Sequence, residues 1–364
     1  MIAPMAVPSG PSEFQRLSHP ASDPGDLTPH LRRLLAGATL SEAETAKAFE
    51  VLMTGSAHHA EMGALLALLA TRLPTVDELV GAARVMRERV EAVPTTLDPA
   101  SILDTAGTGG APKTFNVSTT AAIVAAASGA KVAKHGNRSR TGRGSSETLA
   151  ALGVNIDAKP VVQARCLEEA GICFCFAIHH HPAAMHAMPV RKALGFPTLF
   201  NLLGPLTNPA RARRQIMGVY DRRFIRPVAE ALQRLGAVRA IVMHSADGLD
   251  EFSIGAPTFV ADVDSDGVRE YEIDSVRLGL RTARPIDLTP GSLEEAASMM
   301  RRVLRGEDGG PARDMTLLNA AAALVAAGQA ADFDDGVRIA AQSIDFGDAW
   351  KTFELLRELS HRMS

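Results

Sequence analysis

One stretch constrains the chain more than any other. It begins Asp104-Thr105-Ala106-Gly107-Thr108-Gly109-Gly110 and continues Ala111-Pro112-Lys113-Thr114-Phe115-Asn116-Val117-Ser118-Thr119. A run of small residues at helical spacing follows, Thr120 to Ser128, and then Lys131-Val132-Ala133-Lys134-His135-Gly136-Asn137-Arg138-Ser139. Gly107, Gly109 and Gly110 let backbone N–H groups crowd around one point, because no Cβ blocks the approach. Ser118 falls where a helix should begin, and a helix start offers free N–H groups and the positive end of a dipole. Lys134 and Arg138 add cations a few residues later. Singly, each feature reads as an ordinary turn, an N-cap or a solvated charge. In this order they predict a site for a polyphosphate.

Gly107 to Thr114 nearly spells the P-loop pattern G-x-x-x-x-G-K-[ST], but its sixth position is Pro112. Proline has no N–H to donate and fixes φ, so the backbone cannot curl around a phosphate there. An ATPase or GTPase is thereby excluded.

The 364 residues suffice for a large domain and a smaller one. A formal net charge of −3 gives no reason to expect nucleic acid or a membrane surface as partner. No apolar run is long enough to span a bilayer. Cys166, Cys173 and Cys175 form neither a CxxC nor a disulfide framework, which fits a cytoplasmic location. Residues 1–26, rich in Pro, Ser and Gly, read as a mobile tail.

Residues 27–95 read as a small bundle of about four helices, with starts at Ser41-Glu42 and Thr75-Val76. Its many apolar positions exceed what a small bundle buries, which suggests a second copy packed on it. Pro94 to Pro99 reads as a linker. From residue 96 to 364 the texture is α/β. Apolar strands at 101–104, 131–134, 173–177 and 239–244 alternate with helices at 118–128, 145–152 and 226–235. The fold class is therefore α/β: a helical bundle plus a larger domain with a mainly parallel central sheet flanked by helices. Asp264-Ser265-Asp266-Gly267 predicts a hairpin, and four helices are predicted after residue 292.

Asp250 and Glu251 follow a predicted strand, and loops at the carboxyl ends of parallel strands are where such folds bind ligands. Their hard oxygens suit Mg²⁺, although an isolated Asp-Glu pair is usually a solvated turn. His179-His180-His181 reads as a loop rather than a metal site, since adjacent histidines rarely point together. Arg191, on a predicted helix with His186, offers a planar fork for a carboxylate or a plain surface salt bridge. Phe200 to Pro209 reads as a structural loop.

Together, Gly107-Thr108-Gly109-Gly110, Thr114 to Thr119, Lys134 to Ser139, Val190-Arg191, Phe200 to Pro209 and Gly248 to Glu251 resemble the anthranilate phosphoribosyltransferases of tryptophan biosynthesis. The resemblance runs from about Leu31 to the C-terminus. It implies transfer of the phosphoribosyl group of phosphoribosyl pyrophosphate to the amine of anthranilate, with Mg²⁺, by a homodimer joined through the helical parts. By the same resemblance Gly107, Gly110, Thr114, Asn116, Ser118, Thr119, Lys134 and Ser145 hold phosphoribosyl pyrophosphate. Ser118, Asp250 and Glu251 serve magnesium, and Asn137 and Arg191 the anthranilate. The residues alone lead to polyphosphate and cation but do not name the acceptor.

The chain departs from that family in two loops. Ala111-Pro112 stands where Asp-Gly is usual, and the loop after Ser139 is a residue short. One magnesium site is therefore expected to lack a ligand, with Lys113, Arg140 and Arg143 supplying charge in its place. The alternatives are a pyrimidine nucleoside phosphorylase-like enzyme, which would need phosphate and no divalent cation, and a paralogue with a different acceptor or no activity.

Overall fold

The computed structural model describes residues 25–112, 114–139 and 142–362. Apart from Gly25 and Asp26, the expected tail lies outside them, as do Lys113 and Arg140. Asp26 is held: its carboxylate accepts the Thr28 N–H at 2.8 Å.

The chain opens with α1 (Thr28–Leu35), α2 (Glu42–Thr54), α3 (His59–Ala70) and α4 (Val76–Glu88). The starts of α2 and α4 are capping boxes, Ser41 with Glu44 and Thr75 with Glu78, each satisfying two otherwise orphaned N–H groups. Glu78 does more: fully buried, it accepts two hydrogen bonds from Arg72 and one from the Leu40 N–H.

The α/β part follows as β1 (Ile102–Asp104), α5 (Val117–Ala127), β2 (Lys131–Gly136), α6 (Ser145–Ala151), α7 (Pro160–Arg165) and β3 (Ile172–Phe176). Next come α8 (Ala177–His180), α9 (Met188–Leu194), α10 (Leu199–Leu203), β4 (Arg214–Gly218), α11 (Ile225–Arg234), β5 (Arg239–Ser245), β6 (Thr258–Asp264) and β7 (Gly267–Ile273). The chain ends in α12 (Leu293–Leu304), α13 (Pro311–Ala327), α14 (Phe333–Asp345) and α15 (Asp348–Ser360). The strands form one sheet in the order β3-β2-β1-β4-β5-β6-β7. The first five are parallel; β6 and β7 are antiparallel and joined by the expected hairpin.

Strand alternation divides the core. Ile241 and Met243 face a cluster built with α5 and α12 to α15, while Ala240 and Val242 face the other side. That second cluster contains α11 and the whole N-terminal bundle. It also contains Ala187, Val190, Leu199, Phe200, Leu202 and Leu203, so α9 and α10 pack with α1 to α4 rather than with the sheet they interrupt. The surplus apolar surface of the bundle is thus largely covered by the chain itself. The scarcity of large side chains allows close helix packing: a Cβ at Gly336 of α14 would lie 2.8 Å from the Ala321 backbone of α13.

Several details correct the sequence reading. Strand β4 is not anticipated by it, because Arg214-Gln215 opens the strand with polar residues. The predicted linker is pinned rather than free, with the Val93 N–H on the Pro209 carbonyl and Thr95 and Thr96 on Glu168. His179 and His180 lie on α8, and the Phe200 segment begins as α10 before turning. Helix α5 starts at Val117 with Asn116 at its cap, so Ser118 sits inside the first turn and is not the cap.

Candidate active site

The carboxyl ends of β1, β2, β4 and β5 surround a cavity of about 260 Å³. Gly107, Thr114, Asn116, Ser118, Thr119, Lys134, Asn137, Ser145, Asp250 and Glu251 all line it. Gly110 and Arg191 do not.

The glycine loop leaves β1 and is fastened by the end of β4. The Thr108 N–H donates to the Gly218 carbonyl at 2.9 Å, and the Thr108 hydroxyl accepts the Tyr220 N–H at 3.0 Å. Gly109 and Gly110 have φ of +61° and +97°, a left-handed backbone that a side chain would strain. Gly107 is needed for a different reason, closeness: a Cβ there would lie 3.2 Å from the Gly218 carbonyl and 3.4 Å from an Asp250 carboxylate oxygen. Gly110 instead packs by Tyr220 and shapes the turn from behind.

Lys134, from β2, is the buried cation of the site. Its ammonium donates to the Thr105 carbonyl at 3.2 Å, the Thr105 hydroxyl at 3.0 Å and the Ser118 hydroxyl at 3.3 Å. Burial pulls its pKa down to about 8, against the pull of Asp104 and Glu251. Asp104 beneath it is pushed up to about 6, again by burial. It nevertheless receives the His135 and Ala106 N–H groups.

The acid loop enters from β5. A Cβ at Gly218 would meet the Asp250 carbonyl oxygen at 1.7 Å, so the loop lies directly on that glycine. Glu251 accepts the Thr114 hydroxyl at 3.0 Å and the Ser118 N–H. It keeps an edge open to the cavity but is otherwise enclosed, and burial followed by the charge of Asp250 raises its pKa to about 8. Two carboxylates that repel one another in a poorly solvated corner, with Ser118 lining the same cavity, form a hard-oxygen donor set. A divalent cation there would relieve the repulsion, so the residues fit Mg²⁺.

Asn116 is engaged within the protein. Its amide accepts from the Thr148 hydroxyl at 2.7 Å and donates to the Arg143 carbonyl at 3.2 Å, tying α5 to α6 and to the basic loop. Arg143 lines the cavity and its guanidinium donates to the Pro290 carbonyl. Arg138 lines it too, 5.8 Å from the Phe176 ring centroid.

At the other end stands His135, whose Nδ1 lies 3.1 Å from the Gly204 carbonyl. That contact places the proton on Nδ1 and leaves Nε2 as an acceptor, and Nε2 is buried without a partner among the described residues. Burial, with His181 and His180 nearby, holds its pKa well below 6.5. The His181 ring lies tilted against it at 5.0 Å between centroids, and its own Nε2 also lacks a partner among the described residues. Arg191, on α9, lies over the Phe200 ring at 4.7 Å and donates to the Met188 sulfur at 3.6 Å. It therefore belongs to the bundle side.

Sequence reasoning does not single out His135, although it stands inside the basic motif after β2 begins. Nor does it find Gly218, at the end of the unforeseen strand, or Asn319, whose only signal is one amide in the apolar run from Leu317 to Ala327.

Two domain descriptions match this architecture. Residues 28–90 match the helical bundle domain of a glycosyl transferase family, and residues 99–350 match its a/b domain. The chain belongs to that glycosyl transferase family. A relative from Rubrobacter xylanophilus, an anthranilate phosphoribosyltransferase, is 48% identical over 92% of this chain and 97% of its own length. The anthranilate phosphoribosyltransferase structure from Thermus thermophilus superposes with a TM-score of 0.85 at 39% identity, covering 91% of this chain and 99% of that one. The Saccharomyces cerevisiae enzyme in complex with PRPP and Mg gives a TM-score of 0.83 at 26% identity, covering 92% and 97%.

Proposed function

We propose that this chain transfers the phosphoribosyl group of phosphoribosyl pyrophosphate to the amine of anthranilate, releasing pyrophosphate. The observation that carries this reading is the convergence of glycine loop, helix start, buried ammonium and acid pair on one cavity, in a chain whose relatives bear that activity.

The assigned roles follow the chemistry of each group. The glycine-loop N–H groups at Gly107, and the first turn of α5 with Ser118 and Thr119, face the donor phosphates. Lys134, Thr114, Asn116 and Ser145 complete that end, with Gly110 supporting the loop. Asp250, Glu251 and Ser118 would hold Mg²⁺, which would neutralise charge on the pyrophosphate. Lys134, Arg138 and Arg143 stabilise the same charge as the bond at the anomeric carbon breaks. Asn137 and Arg191 receive the anthranilate, and His135 Nε2 offers its amine an acceptor. No protein nucleophile is required: an aromatic amine held in line attacks an oxocarbenium-like carbon, and orientation supplies much of the rate.

Ala111-Pro112 offers no carboxylate, so this reading keeps the expectation of one tight Mg²⁺ site, with Arg143, which lines the same cavity as Pro112, supplying charge in its place. It places the enzyme in the cytoplasm, which unpaired cysteines suit, and no described helix is long and apolar enough to cross a membrane. Leu35 and Leu73 stay exposed on the bundle, which favours a homodimer there; light scattering after size exclusion tests it.

Expression in a tryptophan auxotroph lacking this step tests the function. Growth without tryptophan is the expected outcome. No growth, together with magnesium-independent phosphorolysis of a pyrimidine nucleoside, would favour the phosphorylase reading instead.

A further inference from the structure

Helix α13 is buried almost all round: every residue from Asp314 to Ala326 is shielded. A side-chain amide in such a place costs stability unless its groups are bonded. Asn319 satisfies it in an unusual way. Its Oδ1 accepts the Phe252 N–H at 3.0 Å, and its Nδ2 donates to the Phe252 carbonyl at 2.8 Å and to the Met315 carbonyl at 2.9 Å. One side chain thus pairs with both backbone groups of a single residue, as a neighbouring strand would. The residue it grips directly follows Glu251.

The rest of the acid loop is fixed from other directions. Gly218 lies under the Asp250 carbonyl, the Thr114 hydroxyl holds the Glu251 carboxylate, and the Phe252 ring rests on Phe333 at 5.4 Å between centroids. Asn319 holds the backbone of the loop to a helix of the core, and it reaches the cavity wall in doing so. We infer that Asn319 is a positioning residue: by clamping the Phe252 backbone it sets Asp250 and Glu251 at the spacing that a divalent cation on the donor pyrophosphate requires. This rests on the proposed role of the acid pair.

Ring anchoring and backbone clamping can be separated. Phe333→Ala loosens the Phe252 ring and lowers stability but leaves the amide clamp. Asn319→Ala removes the clamp, Asn319→Ser is a milder form, and Asn319→Asp keeps one acceptor while turning a carboxylate oxygen toward the Phe252 and Met315 carbonyls. The measurement is calorimetric binding of phosphoribosyl pyrophosphate across a Mg²⁺ series, beside the melting temperature and the KM for anthranilate.

Both Asn319→Ala and Asn319→Asp are expected to raise the Mg²⁺ concentration for half-maximal donor binding about tenfold, since small misplacement of a preorganised site is expensive. The KM for anthranilate should hold. Phe333→Ala should lower the melting temperature at least as far without that shift. The inference is overturned if the Asn319 variants keep the wild-type Mg²⁺ dependence, or if Phe333→Ala shifts it equally for the same loss of stability. If Asn319→Ala does not fold, Asn319→Ser and Asn319→Asp decide. Asp250→Ala with Glu251→Ala serves as reference: unchanged Mg²⁺ dependence there removes the reading of the acid pair itself, whereas loss there with normal Asn319 variants removes only the clamp.

Discussion

The acid loop after β5 and the arginine of α9 are built in opposite ways. Asp250 and Glu251 sit within a few ångströms of Gly107, Gly218, Thr114 and Ser118, all on elements rooted in one sheet. Arg191 stands on a helix whose apolar face packs with the N-terminal bundle, and its guanidinium rests on Phe200. A site contained in one rigid sheet is complete as soon as the chain folds. A site shared between a sheet and a bundle depends on how the two face each other, so residues at the bundle end should govern acceptor binding alone.

The largest effect expected from this contrast is at the sheet end. Asp250→Ala with Glu251→Ala should reduce magnesium-dependent turnover about 10³-fold or more, with the fold intact by circular dichroism. Retained turnover and magnesium response would end the metal role. Gly218→Ala should come next: its Cβ falls on the Asp250 carbonyl, so the acid loop must move, and donor affinity should drop about 10²-fold while the KM for anthranilate changes little.

At the bundle end Arg191→Ala should raise the KM for anthranilate, roughly 10²-fold for a lost charge-assisted bidentate pair, and leave the donor KM in place. The reverse pattern would move Arg191 to the phosphate end. Arg143→Ala should weaken donor binding about tenfold, and added magnesium should restore part of it, because a fixed cation and a metal neutralise the same pyrophosphate.

The smallest effect is on stability. His181 has its pKa lowered to about 4 by burial and then by His180, against 6.5 for a free imidazole. The unfolded chain therefore takes up this proton below pH 6.5 while the folded chain does not. Its contribution is fully present above pH 6.5 and is lost as pH falls toward 4, at about 1.4 kcal/mol per pH unit. Urea unfolding at pH 7 and pH 5 should show His181→Gln losing about 2 kcal/mol less than wild type across that interval. An equal loss in both proteins would show that His181 is not the sensitive group.

What the sequence revealed, and what it hid, follows the same division. The glycine loop, Ser118, Lys134 and the acid pair were legible because each is a short local pattern whose chemistry depends on neighbours in the chain. The hairpin at Asp264 and the starts of α2 and α4 were legible for that reason too. Strand β4 was not, since its polar opening residues are engaged by tertiary contacts: Gln215, buried, donates to the Pro205 carbonyl, and Arg214, half-buried, reaches the Ala100 and Ala326 carbonyls. Nor could spacing show that α9 and α10 join the bundle, or that Asn319 meets Phe252, 67 residues away in the chain. His135 stood in plain view, but its value lies in the contact of Nδ1 with Gly204, which sets the free nitrogen.

The most direct test of the account is to incubate the purified chain with phosphoribosyl pyrophosphate and anthranilate over a magnesium series, and to measure anthranilate consumed against pyrophosphate released. The account predicts equal amounts of both, dependence on magnesium, and loss of both in Asp250→Ala with Glu251→Ala. Pyrophosphate release without anthranilate consumption, or consumption that ignores magnesium and the acid pair, would contradict it.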